Sequence, residues 1–171
     1  MLGVLYHVSI ADRHKEQFAM TDCIATAMQL LLGSQDVNPV LLALCVNLAC
    51  CSKNAEIICS NNGLKLLMKR LLALLTACCH AVFSPSLPFL SEYQREAVYT
   101  FTPGAVKTTD AVLFKMIRNL SDHADIKMLF LPFVDGLAHV VTSCNNDAVL
   151  VEVVGILANL TIPDVCFLAF R

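Results

Sequence analysis

The residues of this chain best equipped for chemistry are its cysteines and histidines. Nine cysteines and five histidines stand among 171 residues; Cys78, Cys79 and His80 are consecutive, and Cys50 and Cys51 are adjacent. Thiolates and imidazoles are ligands of zinc, and a thiol beside an imidazole makes a nucleophile. The spacing fits neither chemistry. Adjacent cysteines on a helix point about 100° apart, and no second pair follows at zinc-ligand spacing. An apolar helical run also offers no base held in place by a third group, which an activated nucleophile needs. Cys45, Cys50 and Cys59 lie amid aliphatic residues, where a free thiol behaves as a small hydrophobe, and an odd count favours reduced thiols. The six glycines are scattered and form no phosphate-cradling loop. The expectation is no catalytic residue, no metal site, no cofactor and no enzyme.

The polar groups that do recur regularly are amides. The stretches LYHVS at 5–9, CVNLA at 45–49, IRNLS at 117–121 and LANLT at 157–161 align on His7, Asn47, Asn119 and Asn159, which are 40, 72 and 40 residues apart. The middle interval equals one period plus about 32 residues. The flanks repeat as well. Five residues before each anchor stand Leu2, Leu42, Phe114 and Val154; two before stand Leu5, Cys45, Ile117 and Leu157; one after stand Val8, Leu48, Leu120 and Leu160. These offsets advance by three, which places them on one stripe of an amphipathic helix. Eleven residues after the first three anchors come Phe18, Ile58 and Phe130, so the agreement outlasts one helix.

The elements needed to position the amides follow from local signals. Asn38 and Pro39, a cap followed by proline at the first helical position, open a helix through about Cys51. Ser52 to Asn54 read as a polar break, Ala55–Cys59 as a short helix, Asn61, Asn62 and Gly63 as a turn, and Leu64 to about Leu72 as another helix. After Asn119 the same order recurs: Ser121 to Asp125, an apolar helix, an Asp135-Gly136 turn, and a helix ending near Ser143. Two helices and a short third per forty residues is the armadillo or HEAT pattern. The fold class is therefore all-α, an armadillo/HEAT-like right-handed α-solenoid of about three to four partial repeats with an insertion. In armadillo proteins a ladder of asparagines on the third helices faces a groove and can bond the backbone of an extended peptide. The same amides could instead bond neighbouring helices and fix their stacking. The candidate partner-binding residues are His7, Asn47, Asn119 and Asn159, with Arg118 beside them as a group able to pair with an acidic partner; His123 is a second such group. Lys65, Lys69 and Arg70 read as a basic, solvated outer face.

Composition limits the alternatives. Apolar residues make up 57% of the chain and charged residues 15%, at a mean hydropathy of +0.65, so some apolar surface is expected to meet a partner. A net charge of −2 without basic runs gives no footprint for nucleic acid. Asp12 to Glu16 interrupt the N-terminal region before any secretory apolar stretch, so an intracellular protein is expected. Leu71 to Leu90 lack charge, but Ser84, Pro85, Ser86 and Pro88 break that run, and no membrane partner is expected.

The longer strings carry a resemblance. YHVSIADRHKEQF at 6–18, TDCI at 21–24, GLKLLMKR at 63–70, FKMIRNLSDH at 114–123 and LANLTIPD at 157–164 resemble the armadillo region of kinesin-associated protein, the non-motor accessory subunit of heterotrimeric kinesin-2. The resemblance implies an adaptor that binds the tails of the kinesin-2 motor subunits and links cargo proteins to them. It serves microtubule-based transport, including intraflagellar transport, and places the protein in the cytoplasm, on the microtubule cytoskeleton and in the cilium. It covers residues 1–70 and about 105–164. The expected organisation is armadillo repeats over 1–70, the first truncated; an atypical insertion over 71–104, disordered or partly helical; and armadillo repeats over 105–171, the last truncated. The insertion is expected to be read-through of non-coding sequence, and the chain an excerpt of a longer array, because VCFLAFR after Asp164 leaves the pattern. The competing readings are an armadillo-type nuclear transport receptor, disfavoured by the absence of tryptophan, and an adhesion or signalling scaffold.

Overall fold

A computed structural model describes residues 1–34, 36–78 and 108–161; these are helical, with no strand among them. The chain opens with α1 (Leu2–Ile10) and a single turn, α2 (Asp12–Lys15), which runs into a 3₁₀ segment, Glu16–Met20. It continues through α3 (Cys23–Gly33), α4 (Pro39–Leu48), α5 (Ser52–Cys59), α6 (Gly63–Cys78) and α7 (Thr108–Ser121). A second 3₁₀ segment, Ala124–Phe133, leads into α8 (Val134–Ser143) and then α9 (Asp147–Leu160).

Local chemistry explains several boundaries. Asn38 caps α4 by accepting from the Val40 amide at 2.9 Å, with Pro39 at the first helical position where its missing N–H costs nothing. Asn146 caps α9 in the same way through the Val149 amide. Pro132 lies inside the second 3₁₀ segment, where its ring and absent donor oppose a regular α-helix. Between α5 and α6 the chain turns through Asn61 and Asn62, both at positive φ (49° and 65°). Asparagine is one of the few residues that tolerates that region.

The helices bearing the anchor residues form one row: α1 packs on α4, α4 on α7 and α7 on α9. Behind that row α3 packs on α5 and α6, and α8 on α9. Side chains that bond from one unit of the row to the next join residues 34 to 41 apart in sequence, or 69 to 74 apart across the connection between α6 and α7. That spacing matches the separation of the sequence anchors. The interior is continuous. Phe18, Ile58 and Phe130, the residues eleven after the anchors, are all buried, and so are Leu42, Cys45, Leu48, Phe114, Ile117 and Leu120. Withdrawing a leucine or phenylalanine side chain from water contributes about 1.5–3 kcal/mol, so these positions supply most of the cohesion.

Three local readings need correction. Ser52 to Asn54 are no break, because they form the first turn of α5; Asn54 is fully buried and its amide donates to the Lys15 carbonyl at 2.8 Å. Asp135 and Gly136 are no turn, because α8 begins directly after the 3₁₀ segment and contains both. Arg70 does not sit on a solvated face. It is half-buried and donates to the Leu31 and Ser34 carbonyls at 2.6 and 2.8 Å, closing the C-terminal end of α3 with a positive charge. The helix that starts at Gly63 continues to Cys78, into the segment for which an extension of this helix was one of the open readings. The rest of the expected insertion, residues 79–104, lies outside the described residues, as do Cys79, His80 and most of the uncharged run from Leu71.

No single helix among the described residues is long and apolar enough to cross a membrane. Only the pair Pro39–Leu48 and Ser52–Cys59, bent by 117°, passes on length and composition. Its apolar residues Leu41, Leu42, Leu44 and Ile58 are spent on the core.

Candidate functional site

The anchor asparagines sit near the C-terminal ends of the row helices, and each reaches back to the helix before it. Asn47 donates to the Ser9 hydroxyl at 3.0 Å. Asn119 donates to the Val46 carbonyl and the Cys50 sulfur, both at 3.1 Å. Asn159 donates to the Arg118 carbonyl and the Ser121 hydroxyl, again both at 3.1 Å. A primary amide has two hydrogens, so Asn119 and Asn159 have committed both to a neighbouring helix. The side-chain carbonyl is the remaining hydrogen-bonding group that either can offer a visitor.

The acceptors form a second recurring set that the sequence displayed without being read. Two residues after each anchor stand Ser9, Ala49, Ser121 and Thr161. Each of the three hydroxyls bonds back to the carbonyl three residues earlier, at 2.6–2.7 Å. Ser9 and Ser121 also accept from the next asparagine, so an Asn-to-hydroxyl-to-carbonyl relay links the helix ends. Where Ala49 lacks a hydroxyl, the Cys50 thiol takes its place and bonds back to the Val46 carbonyl at 3.5 Å. The alignment of the four anchor stretches contained this signal, at the offset of plus two.

Between the ends of α4, α7 and α9 opens a cavity of about 440 Å³, lined by Cys50, Lys115, Arg118, Asn119, Asp122, His123 and Asn159. It brings together three of the five candidate residues, Arg118, Asn119 and Asn159. Asn47 lies one helix further along the row, between α1 and α4, and His7 is exposed on α1, its ring 5.4 Å from that of Tyr6. Arg118 crosses Gly155, whose missing side chain leaves the space, and pairs loosely with Glu152 at 3.4 Å. His123 must donate from Nε2 to the Ala49 carbonyl, 2.8 Å away, since a carbonyl only accepts. Lys115 and Asp122 are exposed, and Lys115 has no ion pair among the described residues. The wall is thus cationic along one side, with amide carbonyls as acceptors.

The thiols divide by burial. Cys45 and Cys59 are buried, and desolvation pushes each up to about 12; the nearby Cys23 adds a smaller push on Cys45. Such thiols stay protonated and are neither nucleophiles nor ready ligands. Cys50 is exposed at the cavity wall, and Cys51 is half-buried beside it. Among the described residues no group of three or more histidines, cysteines or carboxylates is placed to hold a metal ion.

No solved structure matches the chain. The sequence model of the family described as "Kinesin-associated protein (KAP)" matches residues 1–80 and 92–170. This match is wider than the strings that first carried the resemblance, since it takes in 71–80, 92–104 and the segment after Asp164 that had looked foreign, and it leaves 81–91 as the internal stretch without a counterpart. With most of its length matched, the chain belongs to the kinesin-associated protein family, accessory proteins of kinesin.

Proposed function

We propose that the chain is a protein-binding scaffold, an armadillo/HEAT-like right-handed solenoid that binds the tails of the kinesin-2 motor subunits and links cargo proteins to them. It would work in the cytoplasm on microtubule-based transport, including intraflagellar transport in the cilium. The observation that supports this reading is the cavity at the ends of α4, α7 and α9. An extended segment laid along it would donate backbone N–H groups to the Asn119 and Asn159 carbonyls and set an acidic side chain against Lys115 and Arg118. The groove thus favours backbone N–H groups facing inward and negative charge.

The test is a pull-down or calorimetric titration with kinesin-2 motor tails. Lys115→Glu reverses one charge on the cavity wall without touching the core, and should weaken binding about tenfold, a loss of about 1.4 kcal/mol. Equal binding by wild type and Lys115→Glu at low salt would dissociate the tails from this groove. No tail binding by either would remove the adaptor reading for this chain.

A further inference from the structure

One residue before the anchors stand Tyr6, Val46, Arg118 and Ala158, and seven before the last three stand Val40, Val112 and Glu152. Of these positions only Arg118 and Glu152 carry charge, and they meet at the joint of α7 and α9. That joint is already held by other means: Ile156 and Leu160 are buried, and the Asn159 amide bonds to the end of α7. The charged pair adds little to it. Glu152 accepts from Nη1 of Arg118 at 3.4 Å, and the Arg118 side chain is 45% exposed, where water screens an ion pair.

The pair leaves both of its members incompletely bonded. A guanidinium is a planar fork of five N–H donors, shaped to hold a carboxylate by two parallel bonds. Glu152 takes one of the five, and the other four have no partner among the described residues. Glu152 itself is only 18% exposed, so its carboxylate has given up much of its water for one long bond. The gap at Gly155 lets the guanidinium lie back over α9: a methyl group there would stand 2.5–2.9 Å from its Nε, Cδ and Cζ atoms. Arg118 therefore spans from Glu152 to the cavity, which it lines together with Lys115.

Resting on the reading of this cavity as a groove for an acidic segment, we infer that Glu152 competes with the partner's carboxylate for Arg118. Glu152 holds the guanidinium against α9, and an acidic side chain entering the groove takes it over, exchanging one long bond for a bidentate pair. Lys115 supplies attraction at entry, and the exchange at Arg118 supplies discrimination. A carboxylate completes the fork; an amide or a backbone carbonyl offers one uncharged acceptor and leaves Glu152 in place. Asp122, exposed on the same wall, repels the same visitor, so an occupant must outweigh two resident carboxylates. Glu152 is a positioning residue, acting on the partner through Arg118.

Calorimetric titration of the whole chain with an end-blocked hexaglutamate peptide tests the exchange. Hexaglutamate should bind Glu152→Gln about fivefold more tightly than wild type. Lys115→Glu should weaken its binding, which assigns the peptide to the cavity. In an Arg118→Gln background the gain from Glu152→Gln should fall below about twofold, because the carboxylate then has nothing to withhold. A damaged fold would weaken binding, so a gain isolates the competition. Unchanged or weaker binding by Glu152→Gln, no binding by it at all, an equal gain with and without Arg118, or indifference to Lys115→Glu would each overturn the inference. Motor tails are absent from this assay. Tails that fail to bind while hexaglutamate behaves as stated would remove the adaptor reading and leave the exchange standing.

Discussion

Single residues carry two kinds of information here, what a side chain could do and what its surroundings leave it able to do. The cysteines separate the two. Cys45 and Cys50 are near neighbours in sequence, yet one is buried in the core and the other faces solvent at the cavity wall. Iodoacetamide applied to the folded protein should therefore label Cys50 readily and leave Cys45 and Cys59 unmodified until denaturant is added, as read by peptide mass spectrometry. Uniform labelling of the three would mean the core opens on the timescale of the reaction. The same burial gives a pH dependence of definite sign. An unfolded cysteine ionises near 9.0, whereas folded Cys45 resists to about 12. Its contribution to stability is complete below pH 9 and is lost as the pH rises toward 12, because the unfolded state gives up its proton first. The slope approaches about 1.4 kcal/mol per pH unit for this one thiol. Cys45→Val removes that ionisation, so its melting temperature should fall less steeply than that of wild type over the same alkaline range.

At the scale of elements, the turn from α5 into α6 is the most constrained joint. A methyl group added at Gly63 would lie 1.8 Å from the Ile58 carbonyl oxygen, a backbone atom that cannot swing aside. Gly63→Ala should cost about 3 kcal/mol or more, measured by urea denaturation, whereas Asn62→Ala, which only loses a residue suited to positive φ, should cost about 1–2 kcal/mol. Equal and small effects would mean that α6 can shift away from α5. This turn was legible because Asn-Asn-Gly announces positive φ in the residues themselves. The Asp135-Gly136 pair carries a similar announcement, and there it misleads, since the chain passes from the 3₁₀ segment straight into α8. Ser52 to Asn54 looked like a break for a related reason. Their polarity is answered by groups that local pattern cannot see: Lys53 pairs with Glu16 at 2.7 Å, and Asn54 reaches the Lys15 carbonyl. The apolar stripe, by contrast, was readable throughout, because burial at a fixed offset leaves a mark in residue type. Arg70 left no such mark, and only the position of the α3 terminus reveals why an arginine stands there. The candidate site was legible in part for the same reason. Asn119 and Asn159 stood out by their period, whereas Lys115, His123 and Cys50 enter the cavity only through the way α4, α7 and α9 converge.

At the scale of the molecule, the row of helices is coupled mainly between neighbours, and the asparagines are its rivets. Among the described residues Asn159 bonds backward to α7, so removing its amide takes one donor from the Arg118 carbonyl and one from the Ser121 hydroxyl at one interface. Asn119 joins α4 to α7 in the middle of the row, through bonds that span 69 and 73 residues of sequence. Each loss should cost about 0.5–1.5 kcal/mol, the usual net worth of a hydrogen bond, because the Arg118 and Val46 carbonyls keep the Ser121 hydroxyl and the Cys50 thiol as donors. The two should differ in reach. In a stack held by nearest-neighbour contacts, Asn159→Ala should raise amide hydrogen exchange in α9 and leave α1 and α4 protected as before. Asn119→Ala should raise exchange on both sides of the middle interface, in α4 and in α7, where the bond from His123 to the Ala49 carbonyl is left to hold the helix ends together. If Asn159→Ala instead loosened α1 as much as α9, the whole chain would be opening as one cooperative unit, and the row would have to be understood as a single core and not as a succession of separable joints.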